Sequence, residues 1–246
     1  MIVRDIMTTK LVTVEPDDTL SRAANLLRQY QFHHLPVVRK VNVSGPQSTI
    51  YAQQYTALFL EGLLTSQDIE LAAALADQDP ADGNLHRPWQ ERKVLEVMHR
   101  DTVQVSPLAS VGAAAQLLVE RGHNCLPVVE YIQSEQDTTA VLVGLLTRSD
   151  LLLALARAMG AFEPGMDLVI FLPTGSMTPL AETLNIATTL FIQVRSVIVA
   201  PLHDGVPRTA MLRVGTINPS PLLWRLQAAG IQYTYAHQPL EGKSHA

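Results

Sequence analysis

The chain has 246 residues, of which 47% are hydrophobic and 17% charged, and its net charge is −5. This balance predicts a compact protein with two or three small cores and excludes a disordered or strongly solvating chain. No Lys/Arg block offers a nucleic-acid surface, and no stretch approaches the ~20 apolar residues of a membrane span. The start, Met1-Ile2-Val3-Arg4-Asp5, has no basic segment leading into an apolar run, and Cys125 is a single cysteine without a disulfide partner. A cytoplasmic setting is expected, with Cys125 a small buried hydrophobe.

In chain order, Met7 precedes a short alternating strand, Val12-Thr13-Val14, stopped by Pro16. A helix opens after Asp17-Asp18-Thr19, with Leu20, Ala23, Ala24 and Leu27 at helical spacing. Leu35-Pro36-Val37-Val38 reads as a short buried strand, with proline where a missing N–H is tolerated. Gly45-Pro46 marks a surface hairpin. Gly62-Leu63-Leu64 is a strand turning into an apolar helix, Ile69 to Leu75, and the polar residues from Ala76 to Lys93 form a linker.

The same text then returns. Met98, Val103, Val105, Pro107, Ala114, Ala115, Leu118 and Leu126-Pro127-Val128-Val129 repeat the first set 91 positions later. Both copies close on Gly-x-x-Thr-x-x-Asp, Gly62 to Asp68 and Gly144 to Asp150, now 82 apart, so nine extra residues lie between Val38 and Gly62. Each copy reads β-α-β-β-α, the second ending in the apolar helix Leu151 to Met159.

Beyond Gly160 the pattern changes. Strand Asp167 to Leu172, helix Pro179 to Phe191, strand Arg195 to Leu202, a turn over His203 to Pro207, strand Arg208 to Ile217, a helix begun by Pro219-Ser220-Pro221 and strand Ile231 to Ala236 give βαββαβ. That is the ferredoxin-like split order. The expected organisation is therefore 1–76 for repeat 1, 77–93 for the linker, 94–160 for repeat 2 and 165–240 for the last domain.

Taken alone, Thr65-x-x-Asp68 is a helix start, its hydroxyl capping an N–H and its carboxylate at the positive end of the dipole. Its repetition after near-identical Gly-Leu-Leu strands resembles the signature of the cystathionine-beta-synthase (CBS) domain. The two copies together resemble a tandem CBS pair, or Bateman module. That resemblance implies two clefts about a pseudo-two-fold axis that take an adenosine-containing ligand: AMP, ADP, ATP or S-adenosylmethionine. It implies that Asp68 and Asp150 accept hydrogen bonds from the ribose hydroxyls. Thr65, Ser66, Thr147 and Arg148 would hold ribose or phosphate, aided by helix-start N–H groups.

By the same resemblance the residue two before Leu-Pro-Val faces phosphate, here His33 in one copy and Asn124 in the other. His34, Pro36 and Pro127 complete the candidate walls. His33-His34 as a metal pair is disfavoured, because neighbours on a strand point to opposite faces. The clefts are thus expected to be unequal, and the residues do not choose among the adenosine ligands.

The last domain resembles an ACT domain, and the whole resembles AcuB-type CBS-ACT proteins. Its loop Pro173 to Pro179 lacks the acid of amino-acid-binding members but keeps Gly175 as a close-approach point. No nucleophile-base-acid set, phosphate loop, dinucleotide fingerprint or metal motif is present in the sequence, so neither catalysis nor a cofactor is expected. The expected protein is a cytoplasmic regulator with an adenine nucleotide as regulatory ligand, a homodimer, and an unnamed protein as its regulated partner. An interaction scaffold with vestigial clefts is the alternative.

Overall fold

The computed structural model describes residues 1–44, 54–77, 88–133, 138–199 and 205–236. The chain divides into two compact units, Met1–Leu151 and Leu152–Ala246.

The first copy supplies α1 (Leu20–Tyr30), β1 (His34–Ser44), β2 (Gln54–Thr65) and α2 (Ser66–Asp77); the second supplies α3 (Val111–Glu120), β3 (Cys125–Gln133), β4 (Thr138–Thr147) and α4 (Arg148–Ala158). Helix α1 starts because the Thr19 hydroxyl accepts the Arg22 N–H, and it buries Leu20, Ala23 and Leu27. Ser110 does the same for Ala113 in α3, which buries Ala114 and Leu118. The strands form one sheet in the order β1-β2-β4-β3, two antiparallel hairpins joined through Phe59 and Val141. Each hairpin carries a register shift at the same place, Val37/Val38 and Val128/Val129. Val38, Val129 and Leu142 pack as a small cluster of their own.

The strands are longer than the sequence suggests. β1 and β2 have 11 and 12 residues, against 9 and 10 for β3 and β4. Part of the first copy's extra length therefore extends its hairpin; the turn expected at Gly45-Pro46 lies outside the described residues. Val12–Val14 and Val103–Val105, expected as strands, are single parallel bridges, Val14 to Val37 and Val105 to Val128. The Val14 N–H reaches the Pro36 carbonyl and its own carbonyl accepts from Val38, so one residue completes the pairing before Pro16 turns the chain away.

Each copy's lead-in segment is exchanged onto the other. Val3, Ile6 and Met7 pack into the core of Val105, Ala114, Leu118, Leu126, Val128 and Leu146. Val94 and Met98 pack with Val14, Leu20, Leu27, Leu35 and Leu64. Thr8 and Leu145 exchange both backbone hydrogen bonds at 2.9 Å, and so do His99 and Leu63. This close crossing explains the two glycines: a Cβ on Gly62 would stand 2.5 Å from the His99 carbonyl oxygen, and one on Gly144 2.5 Å from Met7 Sδ. Of the expected linker, residues 78–87 lie outside the described set, while Trp89 packs against the first-copy core.

The second unit holds β5 (Met166–Phe171), α5 (Thr178–Thr189), β6 (Gln193–Val199), β7 (Thr209–Gly215), α6 (Ser220–Ala228) and β8 (Tyr233–Ala236). Its antiparallel sheet runs β6-β7-β5-β8, so the first and third strands lie centrally, the split βαββαβ arrangement. Leu168, Ile170, Leu212, Val214, Leu222 and Leu226 form its core. Arg213, 4% exposed, is held by Asp167 Oδ1 and the Glu163 carbonyl, each at 2.8 Å. Gly175 has φ +77°, and a Cβ there would stand 2.8 Å from Val206. The turn expected at His203 lies outside the described residues, which reach back to Gly205. Among the described residues no helix is long and apolar enough to cross a membrane.

Candidate functional site

The repeated Thr-x-x-Asp closes a reciprocal cap at the head of α2 and of α4. The Thr65 N–H and hydroxyl donate to Asp68 Oδ2 at 2.8 and 2.7 Å, and the Asp68 N–H donates back to Thr65 Oγ1 at 3.2 Å. In the second copy the distances are 2.8, 2.6 and 3.1 Å. The helices consequently start at Ser66 and Arg148, three residues earlier than their apolar runs suggest.

The cap uses one carboxylate oxygen and leaves the other turned to the opposite copy. Asp150 Oδ1 accepts from the Thr8 hydroxyl at 3.3 Å, while Asp68 Oδ1 lies 2.8 Å from His99 Nε2. Thr8 and His99 are 91 positions apart and occupy equivalent places. The N–H groups of Ser66 and Arg148, expected to face an anion, instead donate to the His33 and Asn124 carbonyls at 3.0 and 3.2 Å. Arg148 itself donates from Nε to the His123 carbonyl and from Nη2 to Leu118, at the end of α3.

Two clefts follow, each walled by the lead-in of one copy and the helix head of the other. The first, about 480 Å³, is lined by Thr8, Lys10, Leu11, Val12, Gln31, Phe32, His33, His34, Pro36, Asn124, Leu145, Thr147, Arg148 and Ser149. Asp150 meets it through Thr8. The second, about 290 Å³, is lined by His34, Leu63, Thr65, Gln67, Asp68, His99, Asp101, Thr102, Val103, Gly122, His123, Asn124, Cys125 and Pro127. His34 and Asn124 serve both. Ser66 lines neither and faces a separate groove with Arg28, Ile69 and Trp89.

Burial, reinforced by the His33 imidazole and opposed by Asp68, pulls the His34 pKa below its ordinary 6.5. Burial pushes the Cys125 thiol up to about 12, so in the folded chain it is a hydrophobe at the second wall. The buried Thr102 hydroxyl, also in the second cleft, has no partner among the described residues. Thr8, Lys10, Asp101 and Thr102 were not expected from the sequence, and His99, expected as a plain surface residue, lines the second cleft beside Asp68. The signal was the repeat itself, since each lies between residues that the 91-position offset aligns.

A sheet of two hairpins with helix-capped clefts between sequence repeats defines an internally symmetric, two-cleft module. The family model of the CBS domain matches residues 3–45 and 94–157, so the repeat carries two CBS matches in tandem. The first stops just past the end of β1. The chain is 29% identical over 128 residues to the CBS domain-containing protein YhcV of Bacillus subtilis, covering 52% of this chain and 72% of that protein. It is 26% identical over 164 residues to a CBS domain-containing protein of Dictyostelium discoideum, covering 67% and 97%. Among solved structures, one assigned to the acetoin utilization protein AcuB of Vibrio cholerae matches with a TM-score of 0.48 and 24% identity over 66% of this chain and 96% of that one. CBSX2 in complex with AMP matches at 0.44 and 21%, over 63% and 96%.

Proposed function

We propose that the chain is a non-catalytic regulatory protein that binds an adenosine-containing ligand in the clefts of its CBS pair. The observation that carries the reading is the paired Asp68 and Asp150, each with one oxygen locked in a helix cap and the other turned across a cleft to the opposite copy. In this reading a ribose hydroxyl donates to that outer oxygen, taking the place of Thr8 or His99. His34, Pro36, Pro127 and Val103 form the apolar and π walls for the base.

A ligand so placed bridges the lead-in of one copy to the helix head of the other. Occupancy then favours the conformations in which the exchanged segments are closed. The bias passes to the C-terminal ACT-like unit or to a partner protein in the cytoplasm. A thermal-shift series with AMP, ADP, ATP and S-adenosylmethionine tests the reading. A ligand present at 100 times its Kd adds about 2.7 kcal/mol to the stability of the unit that binds it. At least one of the four raises the melting temperature; no shift with any at millimolar concentration contradicts the proposal.

A further inference from the structure

The two clefts differ in charge where they are otherwise equivalent. Lys10 in the first is answered, 91 positions on, by Asp101 in the second, and Arg148, in the first, is answered by Ser66, which faces elsewhere. The first cleft thus presents two permanent cations against the one carboxylate of Asp150 that meets it through Thr8. The second presents the carboxylates of Asp68 and Asp101 and no Lys or Arg among its lining residues. It is also the smaller, about 290 Å³ against about 480 Å³, and its buried Thr102 hydroxyl replaces Leu11.

Resting on the adenosine reading above, we infer that the clefts sort ligands by charge. The first takes a nucleoside polyphosphate; the second takes the nucleoside without phosphate. Opposite charges a few ångströms apart attract and like charges repel, so an extended phosphate chain gains beside Lys10 and Arg148 and loses beside Asp101. The Thr102 hydroxyl gives the second cleft a neutral partner for an uncharged hydroxyl or ring nitrogen.

Equilibrium dialysis of the full chain against labelled ATP and labelled adenosine at about pH 8, above the ordinary imidazole range, tests the inference. ATP saturates at one site per chain, and adenosine still fills one site in ATP-saturated protein. Lys10→Ala weakens ATP about tenfold or more and leaves that adenosine site unchanged. Asp101→Lys, a change at an exposed position, raises ATP to two sites per chain and removes the adenosine site that ATP leaves open. ATP filling two sites in the wild type, or one site in Asp101→Lys, overturns charge sorting while the adenosine reading stands. If neither compound binds the wild type, both fall.

Discussion

His34 is half-buried where the two clefts meet, and its imidazole is harder to protonate in the folded chain than in the unfolded one. With its folded pKa below 6.5, the unfolded state takes up the proton first as pH falls. Stability is therefore full above the unfolded value and is lost as pH drops through it toward the folded one. His34→Gln should flatten the slope of unfolding free energy against pH below about 6.5 in urea titrations. Identical slopes for wild type and variant would show that burial at this position carries no such linkage. The site residues legible in the sequence were those with a double role. Thr65, Asp68, Thr147 and Asp150 advertise themselves because capping needs them at fixed spacing. Thr8, Lys10, His99 and Asp101 sit in segments without regular structure, where no periodicity distinguishes a wall of a cleft from a solvated loop.

At the scale of elements, α1 and α3 could be read because small alanines recur on one face against a sheet. The extended halves of β1 and β2 could not. Their outward residues include Arg39, which pairs with Glu61 across the hairpin at 2.7 Å, and alternating charge there reads as loop. The exchange of lead-in segments was also hidden, since Val3 and Val94 lie in short apolar stretches without regular periodicity whose partners lie in the other copy. Its mark in the sequence is the pair of glycines. In Gly62→Ala the new methyl meets a backbone carbonyl of the crossing strand, which has little room to move; in Gly144→Ala it meets the flexible end of Met7. Overpacking of this kind costs about 1–3 kcal/mol, and Gly62→Ala should lie toward the top of that range and Gly144→Ala at or below its foot. Equal losses in denaturant titrations of the two variants would argue against a rigid crossing at His99.

For the whole molecule, we propose a homodimer. Leu71 and Leu75 on α2 are 61% and 55% exposed, and Leu152 and Leu155 on the equivalent α4 are 67% and 54% exposed. Leucines left open on the corresponding helices of both copies, though not at matching positions, offer an apolar surface for the two-fold partner we propose. Light scattering at micromolar concentration should return about twice the 27.0 kDa chain mass, and Leu71→Glu with Leu152→Glu should return the monomer. A wild-type monomer would leave these leucines to another partner. The central claim is that the paired carboxylates hold ribose, and calorimetry of AMP against 2′-deoxy-AMP tests it most directly. Loss of a charge-assisted hydrogen bond of about 1.5–3 kcal/mol predicts binding weaker by roughly ten- to a hundred-fold for the deoxy compound, and a similar loss for AMP in Asp68→Ala/Asp150→Ala. Equal affinity of the wild type for both compounds, with the double variant binding AMP as tightly, would contradict it.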